Sequence, residues 1–234
     1  MNRPARPDDM DILAAIPLFK GLPKNYLEDV GRIAIGKDFK KGEAIFFDGD
    51  EADGFYVVVA GRVKVFKLSL DGKEQIFHIL GPGEPFGEVP VFAGEDFPAN
   101  AEAMVASRLF FFPRKAFTGL ITEDPSLALN MLAILSKRLR QFTVQVEHLS
   151  LKEVPGRLAV YLLYLSDQKG GQMQVRLAIS KGQLASLLGT IPETLSRILS
   201  KMSKAGLIRV KGPRIEIVDR QGLELLSATG KGLV

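Results

Sequence analysis

Glu193, Ser196 and Arg197 lie in the run Glu193-Thr194-Leu195-Ser196-Arg197, which sets a carboxylate, a hydroxyl and a guanidinium at i, i+3 and i+4. On a helix that spacing puts all three on one face. Their chemistry is directed hydrogen bonding. A planar guanidinium can donate twice to guanine O6 and N7, a carboxylate can accept from cytosine N4, and a hydroxyl serves either base. Two blander readings stay open. Glu193 and Arg197 can form a surface ion pair worth about 0.2–0.5 kcal/mol, and Glu193 can close a capping box with Thr190. The surrounding residues favour the first reading. Lys201, Lys204, Lys211 and Arg214 follow closely, and with Thr194 they form a set suited to phosphate oxygens, which fix affinity and salt dependence but not sequence.

Such a face needs elements to hold it. Ser180-Lys181-Gly182-Gln183 fits a capping box opening a helix through Leu188. A second helix starts at Thr190–Pro192, runs to Ala205 and is ended by Gly206. Leu207–Val210 and Ile215–Val218 then form a hairpin with the basic tip Lys211-Gly212-Pro213-Arg214. Two helices joined by a tight glycine turn and followed by a hairpin make a winged helix-turn-helix. Arg157–Ser166 reads as a helix before it, and Met173–Ile179 as strand-like.

The chain has 234 residues, and its overall charge of +4 conceals an asymmetry. Residues 1–150 carry 18 Lys and Arg against 21 Asp and Glu, a net of −3, while residues 151–234 carry 13 against 6, a net of +7. A compact basic module fits a polyanionic partner. All 15 phenylalanines lie at or before Phe142, so two domains with different cores are expected. With no cysteine, a disulfide scaffold, a cysteine-ligated iron–sulfur cluster and a thiolate nucleophile are excluded. His78 and His148 are the only histidines, too few for a cupin-type metalloenzyme, and no catalytic constellation is present. No apolar run reaches the roughly 18 residues of a membrane span, and residues 1–9 read as a solvated arm without a signal core. A cytoplasmic binding protein, not an enzyme, is expected.

Upstream, Asp11–Phe19 and Pro23–Ile35 read as helical. Short β-prone runs follow at Ala44–Phe47, Gly54–Val59, Arg62–Leu68, Glu74–Leu80, Ala101–Ala106 and Arg108–Phe112, divided by glycine turns. A β-roll fits them best. Pro113–Leu120 reads as helical, and Pro125 opens a long helix. Leu132, Leu135, Leu139, Phe142, Val146 and Leu149 recur at 3, 4, 3, 4 and 3 on it, an a/d seam. The helix either packs on its own roll or pairs with a second copy, and the narrow stripe favours pairing. Pro155-Gly156 reads as a hinge. The fold expected is α+β, with a β-roll sensor over residues 1–124, a dimerisation helix over 125–151 and a winged helix-turn-helix over 152–234.

Three features together resemble the CRP/FNR family of transcription regulators: the glycine-rich roll ending in Pro85-Phe86-Gly87-Glu88, the long helix, and Gly189 with Glu193-Thr194-Leu195-Ser196-Arg197. The Glu-x-x-Ser-Arg pattern, with Pro192 before it, is similar to the FNR and nitric-oxide-responsive branches, among them the regulators of hybrid-cluster protein genes. The resemblance implies a cytoplasmic homodimer on a palindrome of TTGA-like half-sites, RNA polymerase as a partner and an effector pocket in the roll. In the cyclic-AMP branch a Gly-Glu pair engages the ribose, an Arg-Ser pair the phosphate and a Thr-Ser pair the adenine. These positions fall here on Gly87-Glu88, Pro98-Ala99 and Phe142-Thr143. A phosphodiester without its arginine would be buried unpaired, which disfavours cyclic AMP. The pocket expected comprises Gly87, Glu88, His78, Phe142 and Thr143. Its effector is haem b sensing nitric oxide, with His78 or His148 as axial ligand, or alternatively an organic small molecule.

Overall fold

The computed structural model describes residues 3–4 and 9–229, and the chain divides into two compact units, Met1–Leu139 and Arg140–Val234.

The first unit is a β-roll of two sheets. One runs in the order β1 (Arg3–Pro4), β2 (Ile35–Phe39), β9 (Ser107–Pro113), β4 (Gly54–Ala60), β7 (Pro85–Phe86). The other runs β3 (Ala44–Phe46), β8 (Asn100–Ala103), β5 (Val63–Leu68), β6 (Glu74–Leu80). Helices α1 (Asp9–Ala15), α2 (Lys24–Ile33), α3 (Glu88–Ala93) and α4 (Arg114–Glu123) flank the sheets. In β9, Leu109, Phe110, Phe111 and Phe112 are all buried, because both faces of this central strand are covered. Phe112 stacks on Phe55 at 5.2 Å between ring centroids, and Phe117 meets Phe55 edge-on at 4.7 Å. Ring pairs of this kind add about 0.5–1.5 kcal/mol beyond their burial. Asp71-Gly72 turns β5 into β6 as expected, with a bulge between Val65 and Phe66.

Two expectations need correction in this unit. The helix ends at Ile33, and Ile35–Phe39 is instead a strand paired along its length with Phe111 to Ser107. Gly36, Lys37 and Asp38 hide that strand in the sequence, since none of them favours an extended conformation. The arm is not wholly solvated either. Arg3 and Pro4 pair with Gly36 and Ile35, using the backbone groups that the edge of β2 would otherwise leave open. The rest of the expected arm, residues 1–2 and 5–8, lies outside the described residues.

Helix α5 (Ser126–Leu151) carries the expected seam, which the structure divides. Leu132, Leu139 and Val146, seven residues apart, are 58%, 69% and 61% exposed. Leu135 packs against the core of the roll, and Phe142 is half-buried. One edge of the stripe thus serves the chain's own core.

The second unit holds α6 (Val154–Asp167), β10 (Gln174–Arg176), α7 (Lys181–Leu187), α8 (Pro192–Lys204), β11 (Ile208–Lys211), β12 (Arg214–Ile217) and α9 (Arg220–Thr229), with sheet order β10-β12-β11. Its core is aliphatic, built on residues such as Leu158, Leu162, Leu184, Leu195, Met202 and Ile215. The expected hinge at Pro155-Gly156 falls inside α6 instead. Only Lys152 and Glu153 separate α5 from α6, and Pro155 sits in the first turn of α6, where its missing N–H costs no helical bond. Arg157 fastens this junction, donating to Lys152 O at 2.7 Å and to Leu188 O at 2.9 Å. Helix α9 packs on α6, and Arg220 pairs with both Asp167 and Glu224.

Candidate nucleic-acid interface and sensor site

Ser180 caps α7 reciprocally. Gln183 N–H donates to Ser180 Oγ at 3.1 Å, and Ser180 N–H donates to Gln183 Oε1 at 2.9 Å. Gly189 takes φ +66° in the turn, a left-handed conformation that favours glycine. Helix α8 then buries Leu195, Ile198, Leu199 and Met202. The opposite face exposes Glu193, Ser196, Arg197, Ser200, Lys201 and Lys204. Neither bland reading forms. The N-cap of α8 is Ile191, with no side-chain cap bond, so Thr190 and Glu193 make no capping box. Arg197 donates to Thr194 Oγ1 at 3.0 Å, and no ion pair joins it to Glu193 among the described residues. Thr194 is half-buried beneath that guanidinium. In the wing, Lys211 and Arg214 face each other across the hairpin end, both exposed. Sequence reasoning missed Ser200, one turn beyond Ser196 and Arg197, whose signal is its i+3 spacing from Arg197.

The sensor unit holds a different kind of polar site. Gly87 has φ +75°, and a Cβ there would come within 2.9 Å of the Phe97 ring, so both conformation and space call for glycine. Glu88 follows as the first residue of α3 and is 1% exposed. Its Oε1 accepts from Arg138 Nη1 of α5, while Arg138 Nη2 donates to Pro85 O at 2.7 Å. Glu88 Oε2 is buried with no hydrogen-bond partner among the described residues. The heptad pattern alone puts Arg138 off the seam, on the helix's other faces, and gives it no role. The signal that finds it is the carboxylate itself, since a buried Glu needs a cation.

His78 lies on β6 with Nε2 buried. Burial, and then the charge of Arg138, push its pKa down to about 4. His148, half-buried on α5, is also pushed down, by burial and then by Lys152, against an opposing effect of Glu147. The residues present do not fit a haem at His78. Its Nε2 is sealed inside the roll, and an approaching iron cation would meet the Arg138 guanidinium. Phe142 and Thr143 belong to the second unit. At the Pro98-Ala99 positions the nearby cation is Lys67, whose Nζ donates to Pro98 O at 2.8 Å and is already paired with Asp48 at 2.7 Å.

Comparisons with known proteins place both units. The cyclic nucleotide-binding domain family matches residues 36–124, and the Crp-like helix-turn-helix domain family matches residues 156–226. The chain is 32% identical over 208 residues to the cyclic AMP receptor protein of Thermus thermophilus, covering 89% of this chain and 95% of that one. It is 29% identical over 217 residues to the CRP-like cAMP-activated global transcriptional regulator of Mycobacterium tuberculosis, covering 91% and 97%. The structure of FixK2 from Bradyrhizobium japonicum superposes with a TM-score of 0.71 at 27% identity, over 83% of this chain and 97% of that one. A cyclic-nucleotide-binding-type roll followed by a Crp-like helix-turn-helix defines a DNA-binding transcription regulator. The chain belongs to the CRP/FNR family. Among the described residues no helix is long and apolar enough to cross a membrane.

Proposed function

We propose that the protein is a homodimeric regulator that reads a palindrome of TTGA-like half-sites through α8 of each protomer and acts on transcription through RNA polymerase. In this reading residues 1–124 sense, 125–151 pair the protomers and 152–234 bind DNA. Glu193, Ser196 and Arg197 meet base edges. Thr194, Lys201, Lys204, Lys211 and Arg214 meet the phosphate backbone, and Thr194 also accepts a hydrogen bond from the Arg197 guanidinium. The observation that carries the reading is the exposed polar face of α8, where neither a capping box nor a Glu193–Arg197 pair occupies the side chains. The exposed heptad of Leu132, Leu139 and Val146 supports pairing through α5.

The deciding experiment is selection of duplexes from a random library by the purified chain. An enriched inverted repeat, with half-site centres about 10 base pairs apart, is expected. Recovery of unenriched sequence overturns the reading. Leu139→Glu is expected to give monomers by sedimentation and to lose binding to the selected repeat. A stable dimer would remove α5 as the pairing helix.

The effector is a small molecule that engages Glu88. The orphaned Glu88 Oε2 supports a hydrogen-bond donor on that molecule. Cyclic AMP is disfavoured because the cation beside Pro98 is already neutralised by Asp48. The nitric-oxide reading rests on His148 as the haem ligand. Its test is a hemin titration, where a wild-type Soret band absent from His148→Ala is its signature and identical spectra refute it.

A further inference from the structure

Two buried cations of the roll are matched by carboxylates, Lys64 by Glu74 and Arg138 by Glu88. Lys37 on β2 is half-buried, yet has no carboxylate within ion-pair distance among the described residues. Its Nζ instead lies 4.0 Å from the centre of the Phe111 ring and 5.2 Å from that of Tyr56, and donates to Tyr56 Oη at 3.5 Å. Burial pushes the Lys37 pKa down, against an opposing effect of Asp53. Burial, then Asp53 and Asp50, push the Tyr56 hydroxyl up to about 12, so it keeps its proton and can donate. Two donors thus converge where the chain supplies no anion. The register shows which way they face. Lys37 pairs with Leu109 and Tyr56 with Phe111, two residues apart on β9, so both side chains stand on one face of the sheet. On that face Tyr56 stacks on Phe86 at 5.4 Å and meets Phe46 of the second sheet at 6.0 Å. It is the inner face of the roll. Phe86 leads through Gly87 to Glu88, whose Oε2 is buried without a hydrogen-bond partner among the described residues.

We infer that the effector is a carboxylic acid with an apolar body, its carboxylate held by Lys37 and Tyr56 and a hydroxyl at its far end donating to Glu88. The inference rests on the reading of Glu88 as part of the effector site. A half-buried ammonium without a counter-charge is costly, and a carboxylate supplies what Lys37 lacks. The carboxylate accepts from both Lys37 Nζ and Tyr56 Oη, bonds that its charge strengthens. Between the two polar ends the rings of Tyr56, Phe86 and Phe46 offer only apolar contact. The hydroxyl satisfies the orphaned oxygen of Glu88. Anion recognition therefore sits on β2 and β4, not at Pro98-Ala99, where Lys67 is already paired with Asp48.

The test is calorimetric titration of the full chain with ω-hydroxy carboxylic acids from hexanoate to dodecanoate, each beside the plain acid and the diol of the same length. Affinity is expected to rise about fourfold per methylene up to one best length. At that length the plain acid and the diol should each bind about tenfold more weakly, because each lacks one end that bonds a charged group. Lys37→Gln should bind the hydroxy acid no better than the diol, and should bind the diol as wild type does. That unchanged diol binding shows the roll intact. Tyr56→Phe, which keeps the ring, should lose about fivefold with the acids alone. Lys37→Gln that binds the hydroxy acid as tightly as wild type overturns the inference, as does a series in which no acid binds. If Lys37 is dispensable but hydroxy acids still bind better than plain acids, only the carboxylate end is removed and Glu88 stands as an effector contact. Equal binding of hydroxy and plain acids removes Glu88 and, with it, the reading on which the inference rests.

Discussion

Two arginines divide the molecule by function. Arg138 in the sensor unit is 15% exposed in its side chain and commits its guanidinium to a buried carboxylate and a backbone carbonyl. Arg197 in the winged unit is exposed and makes one side-chain hydrogen bond, to a threonine three residues away. The first holds the chain's own interior together. The second is braced but leaves most of its donors open to another molecule. The same fork of N–H groups becomes structure or recognition according to whether its partner is in the chain. Fold stability should therefore depend on Arg138 and be nearly indifferent to Arg197, with sequence discrimination on DNA showing the reverse order for Arg197.

The largest effect is expected from Arg138→Ala. Removing one member of a buried ion pair leaves the other charge uncompensated, at a cost of about 3–5 kcal/mol. Chemical unfolding followed in the sensor unit should show that loss, and Glu88→Gln combined with Arg138→Met should recover part of it. A loss below about 1 kcal/mol for the single variant would place the pair among ordinary surface ion pairs. Next in size is Arg197→Ala, with about 1–3 kcal/mol of discrimination lost at one G·C pair per half-site and unfolding changed by less than about 0.5 kcal/mol. Unchanged discrimination in competition binding would erase the contrast between the two arginines.

His78 sharpens the sensor side. Its folded pKa, about 4, lies below the ordinary 6.5, because burial and Arg138 disfavour the imidazolium. A depressed folded value means that the unfolded chain takes up the proton first. The stabilisation is complete above pH 6.5 and is lost progressively as pH falls from there toward 4. His78→Gln should flatten that loss by up to about 1.4 kcal/mol per pH unit, as measured by urea unfolding at pH 7, 6 and 5. Parallel pH profiles for wild type and variant would show that His78 is solvated.

The two regions also differ in how far they can be read from sequence. In the winged unit the information is local. Ser180 with Gln183, Gly189 and Gly206 mark the helix ends, and the apolar spacing of Leu195, Ile198, Leu199 and Met202 fixes which face of α8 is left outside. In the roll the decisive relation joins Glu88 to Arg138 across 50 positions, and neither residue announces the other. Strand β2 is hidden for a similar reason, since its extended form is imposed by pairing with β9 and not by its own Gly36, Lys37 and Asp38. The seam of α5 is legible as a period, but which of its leucines face the roll depends on where the core of the roll ends, and Leu135 shows that division. The placement of helix α9 rests on Leu223 and Leu226 entering the core of the unit, a relation that only its packing on α6 reveals.

The smallest effect tests the wing. Lys211 is exposed at the hairpin end opposite Arg214, and its side chain has no ion-pair partner among the described residues. A phosphate contact there adds affinity that is blind to sequence and depends on counterion release. Lys211→Ala should therefore weaken binding to the selected repeat and to scrambled duplex by the same factor. The slope of log affinity against log salt should become shallower by about 0.9 for each phosphate that the variant no longer neutralises. Arg197→Ala should do the opposite, changing the ratio between repeat and scrambled duplex while nearly preserving the salt slope. If both variants alter the ratio and the slope together, the division between backbone-holding and base-reading residues fails, and the exposed face of α8 has to be treated as one electrostatic surface.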